Sequence, residues 1–272
     1  MNRWHSILHN GLKDLGRTVD RVHAGPKKEC AIKFLKSSLF DTPEARDHSI
    51  REFKCHASLN HQAVLKLIGF NIPTEKGKDY TTITEFMPND TLDLLLEKVV
   101  KGEATYNWET IQAINIFGIA AGMAYIHQHD IIHRDLKPSN IFLDENFHPK
   151  IGDFGLSKVF KEGTEDQIDQ TLGVGTPIYM APEMIDNPHY SNKIDVYANS
   201  LVSYQLLTIQ RPYSDKKSIT AFSLFSDIQK GVRPTIRERE ISDSYLDLFE
   251  RCWSGDPDRR PTFIQIVKEF ID

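Results

Sequence analysis

The chain has 272 residues, of which 40% are hydrophobic and 26% charged, enough for one large globular domain with a substantial core. Its net charge of −5 argues against a broad nucleic-acid-binding surface. Cys30, Cys55 and Cys252 are odd in number and lack metal-ligand spacing, so a reducing compartment, the cytoplasm, is the expected setting.

The N-terminus has no apolar run resembling a signal peptide. Residues 13–36 read as strand material with turns, ending in the short β-prone run CAIKFLK after the Pro26–Glu29 turn. Residues 43–59 carry Ile50, Phe53 and Ala57 at helical spacing behind Thr42 and Pro43, a helix start. Two further β-prone runs, VLKLIGF and YTTITEF, are split by the turn-rich IPTEKGKD. Met87–Asp90 (MPND) is a Pro/Asn break, and beyond it helical patterns dominate: 91–100, 109–128, 192–209, 218–229, 243–252 and 262–271. The most apolar stretch, Ile111–Ile126, includes Gln112 and Asn115, so it reads as a buried helix and no membrane segment is expected. The pattern predicts an α+β chain with a small strand-rich part and a larger helical part.

Residues 133–155, HRDLKPSNIFLDENFHPKIGDFG, carry the chemistry. Asp135 is an acid able to orient a hydroxyl, with the cation Lys137 two residues on. Asn140 and Asp153 offer the oxygen ligands that magnesium requires. A positioned nucleophile, charge neutralisation and a metal clamp are the parts of phosphoryl transfer.

HRDLKPSN and DFG resemble the catalytic loop and metal-binding motif of a eukaryotic-type protein kinase domain. The resemblance runs from about residue 11 to the C-terminus through AIK (31–33), APE (181–183), DVY (195–197) and CWSGDPDRRPTF (252–263). It implies the bilobal kinase fold as one domain over 1–272, with an N-lobe over about 11–86, a hinge at 87–90 and a C-lobe over 91–272. It implies ATP and magnesium as cofactors, with Lys33 binding the α- and β-phosphates and Glu52 pairing with that lysine. Val22, Ala31 and Phe142 would sandwich the adenine, with main-chain contacts from Glu85 and Met87, Thr84 beside them, and Gly16 as the one arguable glycine of the phosphate loop. KPSN and Thr176 point to serine and threonine in protein substrates, and the tail and hinge resemble the tyrosine-kinase-like group. Glu183 and Arg260 would form a structural ion pair, and Asp195 would brace the catalytic loop. Arg134 would meet a phosphate on Ser157, Thr164 or Thr171, which implies an upstream activator.

The glycine-rich loop departs from the family pattern. Counting back from Val22 puts Asp20 in the third glycine position, where a carboxylate about 5 Å from a phosphate costs roughly 3 kcal/mol. Asn199 and Ser200 replace a large apolar residue and glycine in a helix expected to be buried. Three readings stand: an active serine/threonine kinase, a pseudokinase acting as a nucleotide-binding or scaffolding module, and a small-molecule phosphotransferase on a related fold.

Overall fold

A computed structural model describes residues 17–23, 29–35, 42, 50, 53–72, 80–103, 106–154, 157–159, 177–186, 190–216, 220–236 and 241–272. Its first element is an antiparallel sheet of β1 (Arg17–His23), β2 (Glu29–Leu35), β3 (Leu67–Asn71) and β4 (Tyr80–Glu85), in the order β1-β2-β4-β3. The CAIKFL stretch (30–35) lies inside this sheet, between β1 and β4, which suits its largely apolar make-up. A helical segment, residues 53–58, packs Phe53 onto Tyr80 and Ile72 and stacks it on Phe70 of the edge strand.

The remainder is helical: α1 (Leu92–Val100), α2 (Trp108–Gln128), α3 (Glu183–Asp186), α4 (Lys193–Thr208), α5 (Ala221–Gln229), α6 (Asp243–Cys252) and α7 (Phe263–Ile271). The mixed α+β fold follows the predicted order closely, because helix starts carry their own caps. Thr91 and Asn107 accept N–H groups at the starts of α1 and α2, and Thr220 and Thr262 form capping boxes with Ser223 and Gln265. Four short strands were not anticipated: β5 (Ile131–Ile132), β6 (Ile141–Leu143), β7 (Pro149–Ile151) and β8 (Lys158–Val159). Runs of two or three residues are too short to show a period-two pattern.

Helix α2 sets the depth of the core. Ile119, Ala120, Met123 and Ile126 are buried along it, and Gly122 lets it approach β7. A Cβ on Gly122 would lie 2.8 Å from the Ile151 side chain and 3.0 Å from Ala63. Gly122→Ala should therefore destabilise the protein by about 1–3 kcal/mol despite alanine's better helix propensity. Urea unfolding reads this directly, and an unchanged or raised midpoint would show that the neighbours give way without cost.

Helix α4 is buried nearly all round, from Ile194 to Leu206. Its polar residues are mostly satisfied locally: Ser200 donates to the Tyr197 carbonyl at 2.7 Å, and Gln205 accepts the Tyr179 hydroxyl at 2.6 Å. The Asn199 side-chain oxygen is buried with no hydrogen-bond partner among the described residues. Arg260, fully buried, grips Glu183 through both terminal nitrogens, at 2.6 and 2.8 Å, and donates to Ser254 and Lys193 carbonyls. That bidentate pair is the one the resemblance implied. Arg233 donates to Ile228 and Trp253 carbonyls at the ends of α5 and α6, neutralising two helix C-termini at once. Among the described residues no helix is long and apolar enough to cross a membrane.

Candidate active site

The segment between β5 and β6 is held from below by α4. Asp195, in the first turn of α4 and 1% exposed, accepts the His133 N–H at 2.8 Å and the Arg134 N–H at 2.9 Å. His127 at the end of α2 supplies a third bond through Nε2 at 2.8 Å. Burial alone would push the Asp195 carboxyl up, but the His127 bond and the neighbouring histidine and amide outweigh it and hold the carboxyl below its ordinary value. Arg134 sits at φ 67°, a left-handed conformation costly for arginine, and its N–H is one of those Asp195 anchors. Asp195 thus braces the loop as the resemblance implied.

A second set of bonds ties that loop to Asp153. His133, fully buried, donates from Nε2 to the Gly152 carbonyl at 3.1 Å, which leaves Nδ1 to accept the Asp135 N–H at 3.4 Å. Gly152 returns its N–H to the Asn140 carbonyl at 2.9 Å. Phe154 is wedged between His133 and His56, with ring centroids at 5.2 and 4.6 Å. His56 donates from Nε2 to the Leu65 carbonyl at 2.6 Å, and burial lowers its pKa so that it stays neutral in the stack. Sequence reasoning missed His56, His127 and His133. A signal existed for His127, which continues the Ile119–Met123 stripe of α2 at intervals of four residues.

The reactive groups then fall into two adjoining pairs. One Asp135 oxygen, Oδ2, is shared by Lys137 Nζ at 2.8 Å and Asn140 Nδ2 at 2.9 Å. Asn140 also donates to the Asp135 carbonyl at 2.7 Å, so its amide nitrogen is turned inward and its oxygen is the end left for a cation. Lys33, from β2, donates to Asp153 Oδ1 at 2.9 Å, with Asp153 itself at φ 60°. Among the described residues no three His, Cys, Asp or Glu side chains converge as a metal cage. An amide oxygen beside one carboxylate nevertheless fits magnesium, which takes few protein ligands and completes its shell from phosphates and water.

Around this centre the expected residues divide. Ala31 and Lys33 share one register of β2, opposite Thr84 and Thr82 on β4. The β1–β2 ladder pairs Lys33 with Val19 and Ala31 with Arg21, whereas Val22 pairs with Cys30 and Asp20 with Ile32. Glu85 gives its N–H to the Lys66 carbonyl, while its carboxylate takes the Lys66 N–H at 2.9 Å and faces Lys150 at 3.5 Å. Met87 is buried and spends its carbonyl on the Asp90 N–H, so its own N–H is what it has to offer. Phe142 is half-buried in β6, its ring 2.9 Å from where a Gly152 Cβ would stand. Gly16, Glu52, Thr164, Thr171 and Thr176 lie outside the described residues. Ser157 is buried, its hydroxyl donating to the Phe154 carbonyl at 2.7 Å.

Comparison with known proteins gives a protein kinase domain matching residues 11–271. The chain belongs to the protein kinase family. Among relatives of this kinase, the dual specificity protein kinase shkB of Dictyostelium discoideum is 35% identical over 90% of this chain. The serine/threonine-protein kinases STY17 and VIK of Arabidopsis thaliana are 32% and 33% identical over 89% and 88% of it. The match covers only 36%, 40% and 53% of those three proteins, so the kinase chain spans at most about half the length of these relatives.

Proposed function

We propose that this kinase transfers the γ-phosphoryl group of ATP to serine and threonine of protein substrates. The observation that carries the reading is Asp135 Oδ2 held by Lys137 and Asn140, which fixes the carboxylate and leaves its second oxygen for a substrate hydroxyl. Asp135 would orient that hydroxyl in line with the γ-phosphorus and take its proton as the new P–O bond forms. Lys137 would neutralise charge on the group in transit, and Lys33 would hold the α- and β-phosphates. Asp153 and Asn140 would hold magnesium, which supplies the charge neutralisation across the β- and γ-phosphates when bound. Serine and threonine are favoured over tyrosine by the KPSN sequence and by the similarity to the serine/threonine-protein kinases STY17 and VIK; the similarity to the dual specificity kinase shkB makes tyrosine the alternative outcome. Phosphorylation of Thr164 or Thr171 by an upstream activator would pair with Arg134 and raise activity.

The pseudokinase reading rests on Asp20 and the missing glycines. Against it, Lys33 meets Asp153 at 2.9 Å, and Asp135 is held by Lys137 and Asn140. Incubation with magnesium and ATP, followed by mass spectrometry of the kinase and of a mixed protein substrate, decides between the two. Phosphoserine or phosphothreonine that disappears when magnesium is chelated is the expected result. No incorporation at any residue would contradict the proposal, and phosphotyrosine alone would contradict its specificity.

A further inference from the structure

Residues 60–66 form the joint at which the sheet, α2 and β7 meet. Ile151 of β7 donates its N–H to the Ala63 carbonyl at 2.8 Å and accepts the Leu65 N–H at 2.8 Å, while Lys66 bonds Glu85 of β4 through both its carbonyl and its N–H. Two residues after Ile151 stands Asp153. The near end of the joint is fastened by two side chains. The Tyr125 hydroxyl of α2 accepts the Asn60 N–H at 3.0 Å, and His61 Nδ1 accepts the Ala63 N–H at 3.1 Å. A backbone N–H only donates, so Nδ1 carries no proton and the imidazole is neutral, with its hydrogen on Nε2. The ring is half-buried and stacked on Tyr125, with centroids 4.8 Å apart and planes 19° from parallel, which holds its lone pair toward Ala63.

Of these two fasteners only His61 changes charge near neutral pH. From β7 it faces the Lys150 ammonium. From α2 it faces Tyr125, against whose ring His129 also lies at 4.2 Å, its Nδ1 bonded to the Tyr125 carbonyl at 2.9 Å. Among the described residues the histidine–carboxylate pairs are at His127 and His148, so no such partner steadies a charged His61. Burial, and then Lys150, hold its pKa below the ordinary value of 6.5. A proton on Nδ1 sets N–H against N–H, and the Ala63 donor loses its acceptor. We infer that His61 is a proton-operated latch: neutral, it pins residues 61–63 and keeps the joint seated on β7, and charged, it lets them go. The latch is whole above about pH 6.5 and opens as pH falls below it, because the folded protein binds that proton more weakly than the unfolded chain. Strand β7 runs straight into Gly152 and Asp153, so acid reaches the reactive groups through the backbone. The latch does not depend on what the site transfers.

Amide hydrogen exchange followed by NMR on the whole chain tests it, each rate being corrected for the intrinsic pH dependence of exchange. Between about pH 7.5 and about pH 5 the protection of the Ala63 amide should fall about five- to tenfold. That of Met123, fully buried in α2, should stay constant. His61→Asn keeps an acceptor for the N–H two residues on, as an Asx turn does, and does not titrate, so Ala63 should stay protected at both pH values. His61→Phe keeps the stack but has no acceptor, so Ala63 should be poorly protected at both. His129→Gln should leave the response in place. An Ala63 amide whose protection ignores pH, a fall shared by Met123, a His61→Asn protein as acid-sensitive as the parent, or a response that vanishes in His129→Gln would each overturn the inference. Where a variant does not fold, the ring nitrogens of the parent decide. A hydrogen on Nε2 at neutral pH, with a titration midpoint below the ordinary histidine value, is the expected result, and a hydrogen on Nδ1 overturns it.

Discussion

Asp135→Asn should lower kcat for phosphate transfer by about 10²–10⁴ while leaving magnesium-ATP affinity within about threefold. Asparagine fills the same volume between Lys137 and Asn140, so the loop keeps its course. The amide, however, must choose: if its oxygen takes the Lys137 ammonium, its nitrogen faces the substrate hydroxyl and cannot accept a proton. Turned the other way, two donors confront each other at Lys137. Neither orientation reproduces a carboxylate with one oxygen anchored and one available. Steady-state kinetics on a serine peptide, with nucleotide affinity measured separately, distinguishes this loss from a loss of binding; an unchanged kcat would remove Asp135 from the chemistry.

Asp195→Asn should be the most destabilising of these changes, at about 3–5 kcal/mol, a fall in Tm on the order of 10 °C. Three donors, from His127, His133 and Arg134, converge on this carboxylate in a site without solvent. An asparagine there keeps one acceptor oxygen and turns an N–H₂ group into other N–H groups. The effect carries a pH signature. The Asp195 carboxyl in the folded protein lies below its unfolded value, about 3.9, so its stabilisation is complete above roughly pH 4. It is lost as pH falls through the folded value, and the stability gap between the two proteins should narrow in acid. Arg134, released from its φ of 67°, should also relax, so activity falls with stability. Calorimetric unfolding at several pH values tests this, and a variant as stable as the parent at neutral pH would show that Asp195 is not what fixes the loop.

Much of this was legible because the chemistry sits in one contiguous stretch. Asp135, Lys137, Asn140 and Asp153 lie within 133–155, and the side-chain types alone name their tasks. Helix positions were legible through caps and spacing, α1 and α7 beginning one residue inside the predicted limits. The phosphate loop was less legible: counting backward from Val22 put Asp20 in a glycine position, whereas the β1–β2 ladder pairs Lys33 with Val19, three residues before Val22. The histidine bonds around Phe154 were not legible either, since His56 and His133 reach it from segments far apart in the chain. A sequence gives no warning of a stack assembled only by folding.

Lys33 and Asp153, joined at 2.9 Å, and Asn140 beside Asp135 are proposed to receive one magnesium nucleotide together. Isothermal titration of the kinase with ATP, with and without magnesium, puts it to the question most directly. Uptake at or below millimolar nucleotide, strengthened by magnesium and losing that strengthening in Asp153→Asn, is the expected result; no uptake, or uptake indifferent to magnesium, would contradict it.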